Sequence, residues 1–129
     1  MRKLTAIFLS MGLSLTSFAG EKPKSLGAVK GDILPYIEKL FPALQIKSVG
    51  YVDYTIYAGR LYIMKKYITY TDFYQSATKM AEKELAKIAE KKCKGSRFYA
   101  LDHLSVDVNH VGDGNILLIT SANLICADF

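Results

Sequence analysis

The stretch from Thr71 to Ala127 constrains this chain most, because it reads as one long helix followed by a strand, a tight turn and a second strand. Tyr74, Ala77, Ala81, Leu85 and Ile88 recur at steps of three and four, so they share one face of a helix. Lys79, Lys83, Glu84, Lys87, Glu90, Lys91 and Lys94 fall mostly on the other faces, and Ala, Lys, Glu and Leu are all strong helix formers. Thr71 or Asp72 can cap the first turn, and Asp72 with Gln75 has the spacing of a capping box. Gly95 is a natural stop, with Lys91, Lys92 and Lys94 near the negative end of the helix dipole. RFYALDHLSVDVNHV then alternates as a strand, GDGN turns, and ILLITSANLICA returns.

Compartment follows from the other end. Met1-Arg2-Lys3 is a basic head, Leu4 to Leu15 is mostly apolar, and Ser17-Phe18-Ala19 offers small residues where a signal peptidase looks. The apolar run is too short to span a bilayer, which disfavours a retained N-terminal anchor. Residues 1–19 are therefore expected to be a signal peptide, leaving a domain of 110 residues that starts at Gly20. Its removal lowers the formal charge from +5 by two to +3, a mild excess that favours anionic surfaces without naming a partner. An exported chain is not expected to bind nucleic acid. In an oxidising compartment the two cysteines, Cys93 and Cys126, are expected to pair. With Asp113 at the hairpin tip, residue 126 faces roughly residue 100, a few positions beyond the helix end that carries Cys93. A redox or metal-binding thiol pair would be expected to show the close Cys-x-x-Cys spacing, which is missing.

Residues 20–47 read as a lead-in and a short helix. Gly20 to Lys30 is rich in Gly, Lys and Ser and is expected to be mobile. Asp32 can cap DILPYIEKLF, where Pro35 is tolerated in the first turn and Pro42 ends the helix. Its apolar residues cover more than one face, so it either packs on the sheet or meets another chain. From Ser48 to Tyr70 the pattern alternates like two strands joined at Ala58-Gly59, dense in β-branched and aromatic residues. Seven of the nine tyrosines lie between Tyr51 and Tyr74, which singles this hairpin out as a contact surface. Tyr62, Lys65, Lys66, Tyr67 and Tyr70 form a candidate binding patch for an anionic glycan, a lipid headgroup or a protein; the alternative is ordinary strand packing with solvated lysines.

The remaining candidates for chemistry are His103, His110, Asp102, Asp107 and Asp113. On a continuous strand His103 and His110 face opposite ways and lie about 23 Å apart, at ~3.3 Å per residue. They are weak metal candidates within one chain, and a site would need a bend or a second subunit. The VGDGN tip is too short and too poor in carboxylates for a calcium loop. No strained-elbow serine motif and no glycine-rich phosphate loop occurs, and the acids fall mostly on a solvated helix face, so no enzyme and no cofactor are expected.

The run KMAEKELAKIAEKKCKGSRFYALDHLSVDVNHVGDGNILLITSANLI resembles the C-terminal half of the YbjQ-like and RcsF-like family, which carries a heavy-metal-binding label. A similar helix and hairpin occurs in the YdgH/BhsA-like periplasmic stress proteins. Gly95, Val106, Val108, Gly112 and Ser121-Ala122 occupy corresponding places, and the resemblance covers roughly residues 48–129 as one domain. It departs at Gly95-Ser96-Arg97-Phe98-Tyr99 and at Ser121-Ala122-Asn123-Leu124, and no metal ligand carries over. The resemblance implies an α+β domain, homo-oligomer formation and an envelope role. The expected fold is an antiparallel sheet of two β-hairpins covered by one long helix (β-β-α-β-β), with a short N-terminal helix. The expected function is binding or sensing in the periplasm, or outside the cell, through an envelope protein or anionic surface component. The alternative is metal-ion binding with ligands shared between subunits.

Overall fold

The structure, a computed structural model, describes residues 22–129. The expected signal peptide lies outside the described residues. The elements in chain order are β1 (Lys24–Ala28), α1 (Leu34–Leu40), β2 (Gln45–Ala58), α2 (Arg60–Lys66), α3 (Tyr70–Lys92), β3 (Phe98–His110) and β4 (Ile116–Asp128). The strands form one sheet in the order β1-β3-β4-β2.

Helix α3 begins where Thr69 accepts a hydrogen bond from the Asp72 amide at 3.1 Å and Asp72 accepts one from the Thr69 amide at 3.2 Å. This reciprocal cap lies three residues earlier than the spacing of Asp72 and Gln75 suggests. The helix buries Phe73, Ala77, Ala81, Leu85 and Ala89, while Tyr74 and Ile88 flank that stripe half-buried. Steps of four overshoot a full turn by about 40°, so the stripe winds round the helix, as packing along a twisted sheet requires. Three of these five residues are alanines, which lets the helix backbone approach the sheet closely.

Across the sheet, alternate residues of β4 meet the helix. Ala58, Ile63, Phe73, Ala77, Ile116 and Leu118 pack at one end of α3. Val52, Leu85, Ala89, Cys93, Tyr99, Leu101, Ala122, Leu124 and Cys126 pack at the other. The opposite sheet face is covered at one end only, where Ile33 and Ile37 of the α1 region pack on Ala100 and Ile125. In α1, Asp32 accepts from the Leu34 amide at 3.2 Å, and the helix stops before Pro42. Its other apolar side chains, Tyr36 and Leu40, remain exposed.

The α+β scheme of two antiparallel hairpins does not hold. Leu61 to Tyr70 is not a returning strand: Arg60–Lys66 is helical, and the buried Ile63 anchors it beneath Phe73. Strand β2 instead runs alone for 14 residues and pairs antiparallel with β4 along its whole length. The fourth strand comes from the segment expected to be a mobile lead-in. β1 pairs parallel with β3, Lys24 opposite Phe98 and Ser25 opposite Tyr99, so the sheet is mixed. Local pattern misled because both segments are fixed by residues distant in sequence.

Cys93 and Cys126 are joined, with Cα atoms 5.3 Å apart. Tyr99 stands opposite Cys126 in the β3–β4 ladder, so the helix end that precedes β3 falls directly over the last strand. The bridge closes a loop across 33 positions. In the chain-entropy account, replacing both cysteines by alanine should cost about 3–4 kcal/mol, measured by urea unfolding. Thr120, fully buried between the two helix-side clusters, has a hydroxyl with no hydrogen-bond partner. Thr120→Val, which keeps the shape and removes the orphan hydroxyl, should raise stability by about 1 kcal/mol in the same assay.

Candidate functional site

Two places gather polar side chains that the long helix does not use. The first is on the sheet face away from α3. Between Asp102 and Ser105 the ladder with β4 shifts register, because three steps on β3 match two on β4. His103 takes φ +50°, the left-handed region, at this bulge. Successive amides of a regular strand point opposite ways, yet here both His103 and Leu104 donate to the segment after β1. The bonds run to the Gly31 carbonyl at 2.9 Å and the Val29 carbonyl at 3.1 Å. A non-glycine residue held there costs on the order of 1 kcal/mol, offset by the two bonds that anchor residues 29–31.

Asp102 is buried beside it. Its carboxylate accepts from the Ile33 amide at 3.3 Å and lies 3.1 Å from Nδ1 of His103. Asn123 places its amide nitrogen 3.3 Å from the same ring nitrogen. The neutral ring can accept from Asn123, and the protonated ring donates to Asp102. The hydrogen bond that His103 donates to Asp102, and the charge of that carboxylate, raise the His103 pKa above the ordinary imidazole value; desolvation opposes this and Asp32 adds to it.

His110 lies on the other face. The bulge turns His103 onto the open face, and residues 106, 108 and 110 then align with Thr120, Leu118 and Ile116 on the helix side. The two histidines still face opposite ways, but each has exchanged faces relative to an unbroken strand. Among the described residues no group of three or more His, Cys, Asp or Glu side chains converges. Asp107 lies on the open face and is exposed, and Asp113 sits in the tip with φ +53°. The α1 region borders a groove of about 430 Å³ lined by Leu26, Val29, Ile33 and Tyr36, with Asp32 its one carboxylate.

The second place is the corner formed by α2 and the start of α3. Gly114 at the β3–β4 tip is backed so closely by this corner that a Cβ there would lie 2.9 Å from both the Arg60 side chain and the Tyr70 hydroxyl. Tyr70 donates to the Gly114 carbonyl at 2.8 Å, and Asn115 accepts from the Arg60 amide at 2.9 Å. Tyr70 is thus a brace for the hairpin tip. Tyr67 is also partly structural: its ring lies edge-on to Phe73 at 5.5 Å, and its hydroxyl is 3.4 Å from Ser76 Oγ. Tyr62, Lys65 and Lys66 face outward. Lys66 Nζ sits 6.0 Å from the Tyr62 ring centre, and Tyr67 meets Tyr62 edge-on at 6.4 Å. The charge and hydrogen bonding of Tyr67 push the Tyr62 phenol above its ordinary pKa, so it stays a neutral donor. The five patch residues therefore divide into three outward-facing groups and two braces.

Sequence reasoning missed what lies beside them. Leu61, Met64 and Ile68 are all exposed. Leu61 and Met64 stand three apart on α2, a helical spacing hidden by the β-branched and aromatic residues around it, and Ile68 follows two positions beyond the helix end. No family model, no curated protein and no solved structure matches this chain.

Because the folded state raises the His103 pKa, this group stabilises the fold fully below the unfolded imidazole value of about 6.5 and loses that contribution as pH rises through the folded value. NMR titration should place His103 above an ordinary imidazole, and Asp102→Asn should bring it down. An unshifted His103 in the native protein would contradict this geometry.

Proposed function

We propose that this protein is an exported, non-enzymatic binding or sensing module of the cell envelope, working in the periplasm or outside the cell. Its contact surface is the α2 corner, with Tyr62, Lys65 and Lys66 at the front. The observation that carries the reading is the charge arrangement there. From Tyr54 to Thr71 the chain has Arg60, Lys65 and Lys66 and not one acid. Among the described residues none of the three forms an ion pair. A surface that leaves cations and a tyrosine outward and unneutralised is suited to an anionic partner. A rigid mount supports it, since Tyr70, Arg60 and Gly114 lock the corner to the hairpin tip.

The disulfide favours an oxidising compartment, and no described helix is long and apolar enough to cross a membrane. Both facts agree with export. The YbjQ-like and RcsF-like resemblance agrees with an envelope role and remains part of the proposal.

The test uses the purified disulfide-bonded protein and washed cell envelopes. Changing Tyr62, Lys65 and Lys66 together to Ser should lower retention by the envelopes at least about ten-fold. The urea midpoint should stay unchanged, because all three side chains point to solvent. Retention equal to that of the native protein would overturn the reading.

A further inference from the structure

The front of the α2 corner is apolar as well as basic, and the combination identifies a partner chemistry. Ile63 faces inward and is 1% exposed, so at 100° per residue Leu61 and Lys65 lie on the opposite, outermost side of α2. Leu61 is 82% exposed, Met64 58% and Ile68 96%. Single exposed apolar residues are ordinary, but three within eight positions on one short projection are not. Leu61 and Met64 stand on α2, whose seven residues span about 10 Å, and Ile68 follows two positions beyond its end, so the three exposed side chains belong to one short stretch of surface.

We infer that Leu61, Met64 and Ile68 form a wedge that enters the headgroup region of an anionic lipid bilayer, with Lys65, Lys66 and Arg60 held at the phosphate level. This rests on the envelope-binding reading above and names its partner. The case is one of complementarity. Leu61 and Lys65 share the outermost side of α2 with Tyr62 and Met64 flanking it, so apolar side chains can enter a bilayer surface while the flexible lysine stems carry their charge back to the phosphates. The segment itself carries no acid: Asp53 and Asp72 bound it, and Asp113 belongs to the hairpin tip that Tyr70 braces. A protein groove would also accept the three apolar side chains, but it gives no reason for the unneutralised cations around them.

The chain contains no tryptophan, which provides a clean reporter. Ile68→Trp in the full disulfide-bonded protein should shift its emission to the blue on mixing with vesicles of phosphatidylglycerol and phosphatidylethanolamine. Val49→Trp, 65% exposed on the opposite sheet face, should not shift. Each lysine near an anionic surface is worth about five-fold in partitioning, so Lys65→Gln with Lys66→Gln should weaken binding about 30-fold. Leu61→Ser with Ile68→Ser should weaken it by a similar factor or more, and added salt should weaken the native protein. Both pairs are exposed, so unchanged melting serves as the folding control. Equal binding to phosphatidylcholine alone, or a shift at residue 49 and not at 68, would overturn the wedge. If vesicles do not bind and a photo-crosslinker at residue 64 traps a protein or a second copy, the lipid assignment falls and the binding module stands. If neither vesicles nor crosslinked partner is found, both fall.

Discussion

Everything in this domain depends on one contact, the seating of α3 across β2 and β4 through Ala77, Ala81 and Ala89. Alanine at these points brings the helix close enough for Phe73 and Leu85 to fill the space on either side. The helix thereby divides the core into two packed ends. At its end the C-cap residue is Cys93, so the covalent link to β4 continues the same stripe one turn further. Packing and bridge are successive members of one series at steps of four.

That arrangement leaves the two sheet faces unequal. One is covered along its length, and the other is covered only where α1 reaches Ala100 and Ile125. The open part carries Tyr51, Asp53, Thr55 and Tyr57 from β2, beside Ser121 and Asn123 from β4. Ser105 and Ser121 bond to each other across it at 3.1 Å. Its polarity fits an antiparallel region with one wet side. The Asp102 and His103 bulge at its margin belongs to this architecture: a buried carboxylate ties α1, and the strained residue ties the segment behind β1.

How much of this was readable in the sequence depends on how local each cause is. Helix α3 announces itself because composition, spacing and a terminal glycine agree. The Cys93–Cys126 bridge was legible because a hairpin tip fixes register by counting. α2 was not, since Tyr62, Ile63, Tyr67 and Ile68 favour strands, and only the burial of Ile63 under Phe73 decides for a helix. β1 was hidden for a similar reason: KSLGA carries no alternation, and its partner begins more than 70 positions later. The bulge at His103 has no local marker, because the left-handed position went to a histidine instead of a glycine. Of the candidate patch, Tyr62, Lys65 and Lys66 were singled out by chemistry alone and are exposed, whereas recognising Tyr70 as a brace required the tip that it holds.

The strand order also governs when the molecule can assemble. Both inner strands come from residues 98–128, and each outer strand has only one of them as neighbour. A chain emerging from its N-terminus therefore delivers β1 and β2 with nothing to pair against, and α3 with no sheet to cover. Contacts that wait on distant residues slow folding, because a long loop must close first. The sheet can nucleate only when the β3–β4 hairpin is complete, and the bridge waits for Cys126 on that same last strand. Such a domain stays open until β4 has been delivered, the condition in which a polypeptide can still be threaded through a narrow pore.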